Sequence, residues 1–216
     1  TASVYGMANS PPFRETDTVS PVNPYARSKL MIEDILSDWC SARGDRSVVS
    51  LRYFNPIGAH GSGLLHDSPL GKPSNIMPNI LKVALDPSRS FDIFGFDFPT
   101  VDGTGVRDYI HVEDLASAHI AAIDLVNNLA GHEIINVGTG RGVSVLELIN
   151  AFETSVNVSL RIRKLARRYG DVAESFADVS KAKEILGWNC QYTLEDMCVS
   201  AYYASKTRSE SLNSKT

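Results

Sequence analysis

The 216-residue chain is 43% hydrophobic and 21% charged, and its 21 Lys and Arg against 25 Asp and Glu leave a formal charge of −4. That apolar fraction supplies a sizeable core and excludes global disorder. The acidic balance argues against a nucleic-acid partner, whose phosphates call for an excess of Lys and Arg. No run approaches the ~20 apolar residues of a membrane helix, and no basic-then-apolar signal segment opens the chain, so no membrane is expected. Cys40, Cys190 and Cys198 are too few and too badly spaced for a disulfide framework or a zinc site, which points to a reducing, cytoplasmic setting. The chain begins on Thr rather than Met, and TASVYG reads as the end of a buried strand; it is expected to be a piece of a longer protein.

In chain order, Pro11, Pro12, Pro21 and Pro24 mark residues 8–24 as a surface loop. Residues 25–43 lack Pro and Gly and carry Leu30, Ile32, Ile35, Leu36 and Trp39 at near-helical spacing, which predicts a helix. SVVSLRY at 47–53 is a short β-branched run, hence a buried strand ended by Asn55-Pro56. Residues 58–73, with Gly58, Gly61, Gly63 and Gly71, read as a long loop of the kind that tends to be functional. A short helix at 77–85 follows, then short strands at 91–94 and 109–111, a helix at 112–127 and a strand at 133–137. The remainder reads as a helix at 143–152, a strand near 158–162, helices at 180–186 and 194–204, and a polar flexible tail over 205–216. Strands alternating with helices predict an α/β fold with a parallel sheet. Ligands of such sheets sit at the carboxyl ends of the strands, where Tyr53-Phe54-Asn55 leaves its strand.

The motif richest in chemistry is Tyr25-Ala26-Arg27-Ser28-Lys29. Residues four apart share a helix face, and a cation beside a phenol favours phenolate, lowering a tyrosine pKa from its ordinary value of about 10. A tyrosine so tuned exchanges a proton near neutral pH. Taken alone, the pair is equally a coincidence of helical spacing. Taken with TASVYG, PYARSK, LRYFNPIGAH, GTGVRDYIHVEDLA and RRYGD, in that order over positions 1 to about 200, the chain resembles the extended short-chain dehydrogenase/reductase superfamily. Within it, the chain is similar to the UDP-glucose 4-epimerase family.

The resemblance implies an NAD-dependent interconversion of UDP-glucose and UDP-galactose, in galactose metabolism. It implies the C-terminal part of a Rossmann-like parallel sheet with a smaller α/β substrate-binding domain. Residues 1–55 would belong to the NAD-binding domain and 56–204 mainly to the UDP-sugar domain, with 107–140 returning to the Rossmann sheet. Tyr25 would be the catalytic base, Lys29 would hold the nicotinamide ribose, and the Thr1 hydroxyl would bridge substrate and Tyr25. Phe54 would pack against nicotinamide. Arg107 and Arg168 would meet the diphosphate and uridine, Asp171 the ribose hydroxyls, Asn55 the phosphate or sugar, Asn75 and Ile76 the diphosphate region, and Asp92, Ile93 and Phe94 the uracil. Each has a plainer reading too: Phe54 as core, Arg107 paired to Asp108 or Glu113, Asn55 as a turn former. A homodimer through the helices after Tyr25 and Val112 is implied for the full-length protein.

Other signals weigh less. Asn136-Val137-Gly138-Thr139-Gly140-Arg141-Gly142 follows a strand and opens a helix, but its spacing is GxGxG and no acidic residue follows at the right distance, so it reads as structural. The five basic residues over 161–168 lack interleaved aromatics and read as surface rather than as a nucleic-acid stripe. A related 4,6-dehydratase would need an Asp-Glu pair where this chain has Ala2-Ser3. Ser175, four residues after Asp171, is small enough to leave room for an N-acetyl group on the sugar. The alternative outside catalysis is a UDP-sugar-binding fragment, because no glycine-rich phosphate turn precedes Thr1.

Overall fold

Asn23 opens the first long helix: its side chain accepts the Ala26 N–H at 2.8 Å while Pro24 fills the first turn, where a missing N–H costs nothing. This helix, α1, spans Pro24–Ser41 in the computed structural model, which describes residues 1–71 and 73–213. Then follow β1 (Ser47–Tyr53), β2 (Asn55–Ile57), α2 (Ile76–Ala84), β3 (Phe91–Phe94), β4 (Val106–Arg107), β5 (Tyr109–His111), α3 (Val112–Val126) and β6 (Gly131–Val137). The chain continues through β7 (Val143–Ser144), α4 (Val145–Val156), β8 (Ile162–Leu165), β9 (Glu174–Ser175), α5 (Ser180–Leu186) and α6 (Leu194–Asn213).

β1 and β6 pair in parallel, from Ser47↔Gly131 to Tyr53↔Val137. Alternate side chains leave β1 on opposite faces. Val49 and Leu51 enter a core with Ile135, Val137 and, from α3, Leu115 and Ala118, while Arg52 reaches Glu33 on α1. The two helices therefore cover opposite faces of one sheet. At Phe54 the chain changes partner: the Phe54 N–H donates to the Val137 carbonyl, the Asn55 N–H to that of Asp108, and β2 pairs with β5. A second core, built from Ile80 of α2, Ile93 of β3, Leu148 and Phe152 of α4 and Met197 of α6, supports the other half of the molecule. Here β3 pairs with β8 in parallel, and β4 lies between antiparallel β7 and parallel β9.

Asp108, between β4 and β5, joins these parts. Its fully buried carboxylate accepts the N–H groups of Thr139 (2.8 Å), Gly140 (3.0 Å) and Ala177 (3.2 Å), and the Thr139 hydroxyl at 2.6 Å. A Cβ on Gly138 would stand 2.4 Å from this carboxylate, so the turn admits only glycine there. Three expectations change. Ala2–Val4 is a 3-10 turn capped by Thr1, not a strand end. The strand expected near 158–162 begins at Ile162, because the Leu160 N–H is taken by the Glu153 carboxylate at 2.6 Å and its side chain is buried in the core. The tail expected over 205–216 continues α6 to Asn213, a stretch without Pro or Gly in which the Thr207 and Ser209 hydroxyls donate to carbonyls four residues back; residues 214–216 lie outside the described residues.

His111 caps α3. Its Nδ1 accepts the Glu113 N–H at 3.1 Å, so Nε2 carries the proton and donates to the Ser200 hydroxyl at 3.0 Å, which itself accepts the Ala59 N–H. Its ring stacks on Tyr192 at 4.1 Å. Burial holds its pKa below the ordinary histidine value, against the pull of Glu113, Asp114 and Asp196, and burial does the same to His66 and His132. The unfolded chain thus binds these protons more tightly, so the stability they contribute is present above a pH of about 6.5 and drains away as pH falls. Thermal denaturation is expected to show a falling Tm between pH 7.5 and 5.5, with a smaller drop in His111→Gln; equal drops would remove His111 as a source.

Candidate functional site

The chain forms two clefts either side of the Tyr53-Phe54-Asn55 segment. The first, of about 480 Å³, lies along β1 between α1 and α3, and Thr1, Tyr25, Lys29, Glu33, Tyr53 and His119 line it. The first turns of α1 place Tyr25 and Lys29 on one face, with Nζ 5.5 Å from the centre of the phenol ring. The Tyr25 side chain is open to solvent, 56% exposed. One turn beyond Lys29, Glu33 is buried against Arg52, whose Nε and Nη2 donate to its carboxylate at 3.0 and 2.6 Å. The Arg52 guanidinium also lies 5.0 Å from the Tyr5 ring centre, and the Tyr5 hydroxyl donates to Asn136 at 2.6 Å. Burial pushes the Tyr5 pKa up, so it stays a donor. This chain of contacts ties the helix bearing Tyr25 and Lys29 to both strands of the sheet.

The second cleft, of about 570 Å³, gathers Asn55, Asn75, Ile76, Asp92, Ile93, Phe94, Arg107, Arg168 and Asp171 from β2, α2, β3, β4 and the loop before β9. Arg168 lies 3.8 Å above the Phe94 ring, and Arg163 makes a bidentate pair with Asp92 at 2.7 and 2.8 Å. Arg107 Nη1 donates to the Val106 carbonyl at 2.8 Å. Burial lowers the Arg107 pKa, opposed by Tyr109 and the Asp171 carboxylate, which favours an anion opposite this guanidinium.

Twelve of the fourteen residues singled out from sequence line one cleft or the other. Phe54 does not: it packs with Ala2, Tyr5, Phe13 and Ala177 in a buried cluster. Ser175 lines neither cleft and stands beside Arg107 in the β4–β9 pairing. Lys82, Arg89 and Tyr109 also line the second cleft and were not singled out; Tyr109 sits inside GVRDYIH, whereas nothing local marks Lys82 or Arg89. The basic run lies at the surface and is largely engaged by neighbours in the chain, with Arg163 on Asp92, Lys164 on the Phe96 ring, Arg167 on Asp97 and the Phe98 ring, and Arg168 on Phe94. The Gly138–Gly140 turn is filled by Asp108 and offers no room to a phosphate.

Residues 1–138 match the NAD dependent epimerase/dehydratase family. The chain belongs to this family. Among its relatives, the UDP-glucose 4-epimerase of Bacillus subtilis is 46% identical over 201 residues, which are 93% of this chain and 59% of that protein. A crystal structure of UDP-glucose 4-epimerase from Stenotrophomonas maltophila, with bound NAD and formylated UDP-arabinopyranose, superposes with a TM-score of 0.94 at 44% identity over 98% of this chain and 63% of that one. That from Bifidobacterium longum, in complex with NAD+ and UDP, gives 0.91 at 43% identity over 97% and 62%. The chain thus spans about three-fifths of the length of these family members.

The Glu33–Arg52 pair yields a stability test. Glu33→Ala leaves a buried guanidinium uncompensated and is expected to cost about 3–5 kcal/mol in urea unfolding, part of which Arg52→Met restores in the double variant. A loss under 1 kcal/mol would show that the pair does not anchor α1.

Proposed function

We propose that this chain is the larger part of an NAD-dependent UDP-glucose 4-epimerase. The observation that carries this reading is the convergence of Thr1, Tyr25 and Lys29 on one cleft, with Arg107, Arg168 and Asp171 on the next, in a member of the epimerase family. Tyr25 takes the proton of the sugar 4-hydroxyl and later returns it, and the Thr1 hydroxyl, both donor and acceptor, bridges the two oxygens. Bound NAD accepts the C4 hydride and gives it back. The intervening 4-keto sugar turns over between the two transfers, so the hydride returns to its other face.

Arg107 and Arg168 hold the diphosphate, for which a planar guanidinium fork suits better than a lysine ammonium. Asp171 accepts from the ribose hydroxyls, Asn55 meets the phosphate or sugar, Asn75 and Ile76 the diphosphate region, and the Asp92–Phe94 strand the uracil. For the cofactor, Tyr25 and Lys29 fit the nicotinamide ribose end. The Gly138–Gly140 turn is filled by Asp108 and is structural, and the 216 residues alone are expected to bind NAD poorly and not to epimerise. The three free cysteines fit a reducing, cytoplasmic setting. Met31, Ile35 and Trp39, exposed on α1, fit a homodimer of the complete protein.

Joined to the remaining portion of the Bacillus subtilis relative, the chain is expected to interconvert UDP-glucose and UDP-galactose, and Tyr25→Phe to lower kcat by about 10²–10⁴-fold. Turnover unchanged by Tyr25→Phe would refute the assignment, as would tight NAD binding by the isolated chain for the division of labour. Ser175 lines neither cleft but pairs beside Arg107 of the second, and by its place four residues after Asp171 its small side chain is read as extending the substrates to the N-acetylated pair. In the same chimera, Ser175→Tyr is expected to abolish turnover of UDP-N-acetylglucosamine while sparing UDP-glucose. Turnover of only the non-acetylated pair before mutation would sink this extension.

A further inference from the structure

The buried Asp108 carboxylate accepts four hydrogen bonds, and the proposed reaction does not use it. Its four donors come from two segments distant in sequence, the Thr139–Gly140 turn and Ala177 just after β9. Its own main chain bonds two more: the Asp108 N–H donates to the Ser175 carbonyl at 3.0 Å, and its carbonyl accepts the Asn55 N–H at 3.0 Å. One residue therefore joins Asn55 on the second cleft, Ser175 on β9 and, through the adjacent peptide, Arg107.

We infer that Asp108 is a positioning residue for nucleotide diphosphate recognition: by gripping the Gly138–Gly140 turn it fixes the backbone from which Arg107 enters the cleft. The chemistry of the donor set gives the reason for a carboxylate. Thr139 presents its N–H and hydroxyl to one carboxylate oxygen, and Gly140 and Ala177 present their N–H groups to the other, so an acceptor with two oxygens satisfies them all. An asparagine of the same size turns its NH2 towards at least one of these donors. Buried donors left unmatched are costly, and the cost is relieved by shifting the backbone that carries Arg107. Glutamate is excluded differently, since the space beside Gly138 is already closed.

This inference rests on the reading of the second cleft as a UDP-sugar site, and a double-mutant cycle on the 216-residue chain separates the two. UDP affinity is measured by calorimetry, or by NMR titration where binding is weak, for the unmutated chain, Asp108→Asn, Arg107→Ala and the double variant. Asp108→Asn is expected to weaken UDP about tenfold where Arg107 is present and less than twofold where it is absent, the coupling expected of a residue that acts through another. Equal weakening in both backgrounds, as from a general loosening of the fold, overturns the inference, and so does no weakening at all. If Asp108→Asn does not fold, Thr139→Val, which removes a single donor, runs through the same cycle with a smaller coupling of the same sign and the same grounds for rejection. An unmutated chain that fails to bind UDP overturns the cleft assignment and this inference with it.

Discussion

A single buried carboxylate sets the constraint from which much of this architecture follows. Placing Asp108 out of water requires that each oxygen find donors, and these are three backbone N–H groups and the Thr139 hydroxyl, all from segments remote in sequence. The sheet of β1 and β6, the short ladders of β4 and β9 and the start of β2 are therefore brought to one point. Gly138 is glycine because the carboxylate occupies the place of its side chain. The resemblance of Gly138-Thr139-Gly140 to a phosphate-binding turn has a physical basis: the turn does bind an anion, but one supplied by the chain itself.

The charged surface follows the same economy. A net charge of −4 says little about the ligand, because local geometry decides where positive potential is available. Arg163 and Arg167 are held by Asp92 and Asp97, while Arg107 and Arg168 line the second cleft, Arg168 over the Phe94 ring. Stacking leaves the in-plane N–H donors of a guanidinium available, the arrangement that suits a diphosphate.

What could be read from sequence were the features set by local pattern. The α1 helix and β1 declare themselves through apolar spacing and β-branched runs, and Thr1, Tyr25, Lys29, Asn55, Arg107, Arg168 and Asp171 of the two clefts fall within motifs that stand in family order along the sequence. The two- and three-residue strands β2, β4, β7 and β9 do not, because their pairing is decided by partners tens of residues away. Asn55-Pro56 reads as a strand end, and is one for β1, yet the chain stays extended there because Asp108 offers a new acceptor. Phe54, a nicotinamide contact by resemblance and core by its plainer reading, lies buried with Tyr5 and Phe13, neighbours that only the folded chain brings to it. Ser175 escapes for a similar reason: its place beside Arg107 exists only once β4 and β9 pair.

Among the described residues β1 pairs with β6 alone, and its other edge opens into the cleft between α1 and α3. The strand is covered on both faces, as interior strands of parallel sheets are, yet it ends the sheet like a border strand. Border strands in natural proteins carry guards such as inward charges, prolines or bulges. β1 has neither proline nor bulge, its one inward charge, Arg52, is neutralised by Glu33, and its sequence, SVVSLRY, favours extended pairing. The unpaired N–H and C=O groups of that edge are therefore a ready template for an extended segment of another molecule or of a neighbouring strand.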